Sequence, residues 1–268
     1  MNDTFRPLPR PRLDDPAENF LVASKMSGLV SASYSEAYGY EFATDTEALG
    51  RFGIPSTIEG RGQRTVSTCK HVSSPMPLVD ALRLRSSASA FAPEQSIPQG
   101  SLFRILDESV GISSEFGRGT PSPGKLYPLD FFVIVLNVDG LEPGFYGYDT
   151  FRRELVAMAI SAPPREWLHG VLAYQRLAET AAFHVFVAAS FDRVRVKYGQ
   201  RSYRFALLEA GHSIQSMILL AVAENLASCS VGGYFDQMVD DELGLNGIDQ
   251  TVIHGASFGR PQVTRVSD

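Results

Sequence analysis

Phe205 to Leu226 reads FALLEAGHSIQSMILLAVAENL. Apolar residues occupy most of its helical circumference, broken only by a few polar positions such as Glu209, His212, Gln215 and Glu224. A helix that is apolar nearly all round belongs in an interior, so the pattern predicts a central, buried helix. Phe131 to Leu136 is a continuous apolar run rich in β-branched and aromatic residues, and Phe183 to Ala189 is a similar stretch. They read as strands buried on both faces. Gly140 and Pro143-Gly144 mark a turn into a further strand, Phe145 to Tyr148, and Thr251 to Phe258 reads as the last strand. Helical spacing appears at Leu78, Ala81 and Leu82 behind Pro77, at Leu102 to Val110, and at Trp167 to Leu172. Strands interleaved with helices, plus a hairpin, predict an α+β or mixed α/β domain over residues 71–268. Residues 1–70 read as a Pro-rich arm followed by a segment without clear periodicity.

Composition narrows the function. The chain has 268 residues, 44% of them hydrophobic and 20% charged, with a net charge of −6. This excludes a disordered or collagen-like chain and gives no basic surface for nucleic acid. Strictly apolar runs are shorter than a bilayer, and Met1 to Asp15 has no apolar core. Neither a membrane span nor a secretory signal is therefore expected. Two cysteines, Cys69 and Cys229, cannot form a disulfide framework, so the expected compartment is the cytoplasm.

Two look-alike motifs fail on mechanism. Gly119 to Lys125 matches G-x-x-x-x-G-K, but Leu126 replaces the magnesium-binding Ser/Thr. Pro121 and Pro123 remove backbone donors, and a strand follows where a helix is needed. Gly255 to Gly259 matches G-x-S-x-G, but no helix and no downstream His follow. The five histidines show no paired ligand spacing, so no metal site is expected. His184, alternating with apolar strand residues, reads as a core histidine. Cys229 reads as an inert small hydrophobe, and Asp240-Asp241-Glu242 as a solvated helix face.

Four pieces carry more. Arg85-Ser86-Ser87-Ala88-Ser89-Ala90-Phe91 combines a guanidinium fork with hydroxyls, which suits phosphate oxygens. Pro121-Ser122-Pro123-Gly124-Lys125-Leu126-Tyr127-Pro128 is a loop stiffened by proline, with Gly124 allowing close backbone approach. Lys197-Tyr198-Gly199 leads through Arg201, Tyr203 and Arg204 into Leu207-Leu208-Glu209-Ala210-Gly211-His212. Val231-Gly232-Gly233-Tyr234 and Gly259-Arg260-Pro261 complete the set.

Together, from about Leu78 to Pro261, these pieces resemble the flavin-dependent nitroreductase superfamily. Within it they are similar to the SagB-type, McbC-like branch of azoline dehydrogenases, which form thiazoles and oxazoles in ribosomal peptides. A weaker echo lies at Glu18-Asn19-Phe20 and Ser24-Lys25. The resemblance implies an α+β nitroreductase-like fold, a central mixed or antiparallel sheet flanked by helices, in an intertwined homodimer with FMN at the interface. It implies cofactor contacts from Arg85, Ser87, Ser122, Gly124, Gly232 and Gly233. Ser89 stands where the family has a second cation, and Arg83 and Arg260 are the expected replacements. Lys197 and Tyr198 are implied to be catalytic. On a strand the two would point to opposite faces, so both reach one site only if the chain turns at Gly199. Glu209 is expected to offset the charge of neighbouring arginines. The implied partners are a precursor peptide and a YcaO-type cyclodehydratase. Two alternatives stay open: a generic FMN-dependent NAD(P)H oxidoreductase, and a non-catalytic scaffold subunit.

Overall fold

The computed structural model describes residues 16, 19–20, 24–25, 64–67, 76–113 and 117–262. The arm Met1 to Asp15, Cys69 and His71 lie outside them. The described strands are β1 (Thr65–Ser67), β2 (Ile112–Ser113), β3 (Gly117–Arg118), β4 (Leu129–Val135), β5 (Gly144–Asp149), β6 (Glu154–Ala157), β7 (Phe183–Ser190), β8 (Ala227–Val231) and β9 (Gln250–Gly259). The helices are α1 (Leu78–Leu84), α2 (Gln99–Ser109), α3 (Pro164–Val171), α4 (Gln175–Thr180), α5 (Asp192–Tyr198), α6 (Ser202–Ala223) and α7 (Asp236–Leu243).

Every residue of β4 and β7 is buried, and the two strands pair along their whole length. Their side chains divide with the period of two that a pleat imposes. Phe131, Val133, Val135, Val185 and Val187 enter one apolar cluster with residues of α2 and α6. Phe132, Ile134, Phe186 and Ala188 enter a second cluster with α3, α4 and α7. The expectation of strands buried on both faces holds, and the result is a helix–sheet–helix sandwich. The sheet order is β1-β6-β5-β4-β7-β9-β8. All its strand pairs are antiparallel, and an isolated parallel bridge, Ser87 to Ser228, extends the β8 edge. β1, from within the first seventy residues, pairs with β6.

The central helix needs correction. α6 buries one stripe, Ser202, Ala206, Glu209, Ala210, Ser213, Ile214, Met217, Ile218 and Ala221. Leu207 and Leu208, on the opposite side, are 46% and 53% exposed. The seven-stranded sheet takes one side of this helix, and among the described residues Leu207 and Leu208 on the other side stay exposed. By length and hydropathy the helical stretch Gly199–Ala223 is sufficient to cross a bilayer, which counting strictly apolar runs missed. Here its buried stripe packs into the sheet cluster, as a core helix does.

Asp240 also departs from expectation. It is buried in α7 and accepts hydrogen bonds from Thr251 Oγ1 (2.6 Å) and the Val252 N–H (2.8 Å), tying α7 to β9. His184 is fully buried, as expected, with Nδ1 2.8 Å from Ser257 Oγ. Burial, with a smaller contribution from His254, pushes its pKa down to about 3.

Candidate functional site

The sequence pieces gather at two places. At the first, the Pro121–Pro128 loop meets the C-terminal end of α5. Lys197 and Tyr198 are the last residues of this helix, not a strand pair, and Gly199 turns the chain with φ +50°. The turn expected at Gly199 is present, but it ends a helix. A Cβ placed on Gly124 would stand 2.8 Å from the Tyr198 hydroxyl and 3.1 Å from Lys197 Nζ. Gly124, Lys125 and Tyr127 have φ of 63°, 55° and 46°, a left-handed course that a glycine accepts easily and side chains accept only under constraint.

That constraint is a buried polar network. Ser122 Oγ donates to Glu209 Oε2 (2.7 Å) and accepts from the Tyr127 N–H (3.0 Å). Arg118 Nη1 pairs with Glu209 Oε1 at 3.3 Å, and Arg118 lies 4.3 Å from the Tyr127 ring centre. Burial raises the Glu209 pKa to about 7, with Arg118 and Ser122 pulling it down, and burial lowers that of Arg118. Glu209 therefore offsets Arg118, not Arg201 or Arg204 as expected from their proximity in sequence. Those two hold Ser24 instead, Arg201 at its carbonyl (3.0 Å) and Arg204 at its hydroxyl (2.5 Å). On the other side, Arg193 of α5 pairs with Asp130 of β4 (2.7 Å) and reaches the Tyr127 carbonyl (3.4 Å). The loop is thus held from α6 and from α5.

The second place is the β8 edge of the sheet. Ala88 N–H donates to the Ser228 carbonyl (2.9 Å), and Ala92 N–H to the Arg260 carbonyl (3.0 Å). Phe91 bridges Pro261, so the first and last sequence pieces lie side by side. A cleft of about 580 Å³ opens here, with Ser87, Ser89, Tyr174, Arg176 and Cys229 in its wall. Arg85 is exposed, its guanidinium 3.5 Å from Ser87 Oγ. Arg83 faces Asp80 at 3.7 Å, and Arg260 donates to the Ser96 carbonyl (3.2 Å). Neither is part of the cleft wall. Arg176 is, and sequence reading missed it because α4 carries no periodic signal. Gly233 packs tightly, a Cβ there lying 3.0 Å from the Tyr174 ring, while Gly232 faces open space. Burial raises the Cys229 pKa, so the thiol stays protonated.

The Ser87 and Ser89 hydroxyls and the Arg176 guanidinium in the cleft wall fit an anionic group such as a phosphate, while Arg85 stands outside that wall beside Ser87. Fold and site together define a class, and sequence comparison gives its name. Residues 82–260 match the model of the nitroreductase family, and the chain belongs to that family. It is 32% identical over 143 residues to "Putative nitroreductase MJ1384" of Methanocaldococcus jannaschii, covering 53% of this chain and 72% of the relative. A protein of the same designation from Anabaena variabilis superposes with a TM-score of 0.65 at 28% identity. That match covers 75% of this chain, which spans only 42% of the larger one. A chain of the Escherichia coli microcin synthetase McbBCD complex, bound to truncated pro-MccB17, shares the fold with a TM-score of 0.58 at 20% identity, covering 93% and 95%.

Proposed function

We propose that this nitroreductase-family oxidoreductase is an azoline dehydrogenase, oxidising thiazolines or oxazolines in a ribosomal precursor peptide to the aromatic azoles. The observation that carries the reading is the meeting of Lys197 and Tyr198 with Gly124, three residues from two distant sequence pieces. A generic reductase needs the flavin contacts but has no use for a paired amine and phenol at this position. The McbBCD neighbour, a peptide-bound synthetase matched over nearly all of this chain, adds support for peptide work.

Aromatising the ring removes a proton from the carbon that was Cα and a hydride from the former Cβ. Lys197, in its neutral form, takes the proton, and Tyr198 orients or shares it. FMN, when bound, would supply the two-electron sink. Arg85, Ser87 and Ser89 would hold its phosphate, Arg176 would supply the cation that Ser89 lacks, and Gly232-Gly233 would border its ring.

One copy does not bring these parts together. Ser87 lies on the ladder row of Ser228, Phe258 and Phe183, whereas the Pro121–Pro128 loop enters beside Ala189 and Ser190. Six strand residues and four strand spacings separate the two, on the order of 27 Å. This exceeds the length of the cofactor. In a homodimer the loop, Lys197 and Tyr198 of one copy face the phosphate cleft of the other. A YcaO-type cyclodehydratase would supply the azoline peptide.

The test is mass spectrometry of an azoline-containing peptide after incubation, with NAD(P)H oxidation assayed in parallel. The reading expects a loss of about two mass units per ring, the two hydrogens of the redox step. It expects Lys197→Ala to keep FMN and lose turnover by about 100-fold or more. NAD(P)H oxidation with no azole product would instead make the protein a generic reductase.

A further inference from the structure

Glu209 is 1% exposed in the middle of α6, with one oxygen on Arg118 and the other on Ser122. A carboxyl is a costly residue for this place, since desolvation raises its pKa despite both partners. Arg118 is held in turn by Thr150 Oγ1 (3.2 Å) and by the Tyr127 ring. Ser122 closes the loop on itself by accepting from the Tyr127 N–H. The loop so tied departs into left-handed backbone at three positions, Gly124, Lys125 and Tyr127, and its Gly124 corner abuts the Lys197 and Tyr198 heads. Nothing in the amino-acid pattern assigned Glu209 to this loop, because 87 residues separate it from Ser122.

We propose that Glu209 is a positioning residue: through Ser122 it holds the Gly124 turn against Lys197 and Tyr198 and so sets where these two heads stand. The proposal rests on the reading of Lys197 as the base, but the geometry it invokes is measurable without turnover.

The experiment uses the full-length protein. Ser122→Ala cuts the tie and leaves the Glu209–Arg118 pair intact, Ser122→Thr keeps the hydroxyl, and Glu209→Gln changes the acid itself. With FMN bound, Ser122→Ala should lower kcat on an azoline peptide about tenfold or more, with KM and FMN content within about twofold. Ser122→Thr should recover at least about half of the activity. In the FMN-free protein, acylation of Lys197 by acetic anhydride, read by mass spectrometry against Lys25, should run at least about threefold faster in Ser122→Ala. The turn then no longer stands over the amine. Wild-type Lys197 labelling in Ser122→Ala overturns the proposal. So does a loss of FMN in place of kcat, which would make Ser122 a cofactor ligand, or a defect that Ser122→Thr does not rescue. If Glu209→Gln fails to fold, the Ser122 variants still decide. If the wild-type protein leaves azoline peptides unchanged, the functional reading falls, and the labelling arm still tests the positioning.

Discussion

At Gly124 a single hydrogen atom in place of a side chain sets the distance between a loop and a pair of reactive heads. An added Cβ would stand 2.8 Å from the Tyr198 hydroxyl, on backbone with φ +63°. Gly124→Ala should cost about 1–2 kcal/mol from the left-handed backbone alone. On the proposed reading it should also lower turnover more than it lowers FMN content, because the heads must move and the cleft lined by Ser87 and Arg176 lies elsewhere. Equal turnover in the variant would show that the contact has no functional weight. His184 is a residue-scale device of a different kind. Its folded pKa is about 3 against an ordinary 6.5, so the unfolded chain takes up its proton first. The associated stability is complete above pH 6.5 and is lost as pH falls from there toward 3. Between pH 7 and 5 the wild type should lose about 2 kcal/mol more than His184→Gln, measured by urea unfolding. Parallel slopes would mean that His184 does not stay neutral. The core role of His184 was legible in sequence, since apolar neighbours alternate with it. The role of Glu209 was not, because its partners Arg118 and Ser122 are remote in the chain.

The elements divide along the same line. β4 and β7 were legible because burial on both faces demands mostly apolar text, broken here only by Asp130, His184 and Ser190. α5 and β8 were not: DRVRVKY mixes charge with β-branched residues of modest helix propensity, and ASCSV is small and polar at a sheet edge. Yet α5 carries Lys197 and Tyr198, and its attachment depends on Arg193, which pairs with buried Asp130. Arg193→Ala leaves that carboxylate with the Ser190 hydroxyl as its side-chain hydrogen-bond donor and should cost about 3 kcal/mol, read as a lowered urea midpoint. A midpoint unchanged from wild type would show α5 held by apolar packing alone. α4 was unread as well, and with it Arg176. If Arg176 supplies the cation absent at Ser89, Arg176→Ala should weaken FMN binding about tenfold, a figure kept low because the side chain is exposed. Fluorescence titration with an unchanged Kd would place the phosphate elsewhere.

On the scale of the whole molecule, two uncovered apolar faces and two separated half-sites have one common solution. α1 carries Leu78, Val79, Leu82 and Leu84, each more than half exposed, and it packs against α6, whose Leu207 and Leu208 are also exposed. Isolated exposed apolar residues are ordinary; six on two adjacent helices make a patch of the kind that marks an interface. An obligate interface commonly buries about 2,000 Å² or more, and a long helix with an apolar outer face is suited to supply it. The sequence signalled this only indirectly: the apolar circumference of Phe205 to Leu226 was legible, but not which half of it meets its own sheet. The second half is what a second copy would cover. A dimer would therefore do two things at once, removing these apolar side chains from water and bringing Lys197 and Tyr198 of one copy to the cleft of the other that Ser87 and Arg176 line. The two effects can be tested together. Leu208→Glu places a charge on the exposed face of α6 without touching its buried stripe, so the protomer should still fold. Sedimentation at micromolar concentration should show wild-type dimer and variant monomer, and the monomer should lose its FMN absorbance. A variant that is monomeric yet retains full FMN would show that one copy builds the cofactor site alone, and the separation of the two half-sites would then need another explanation.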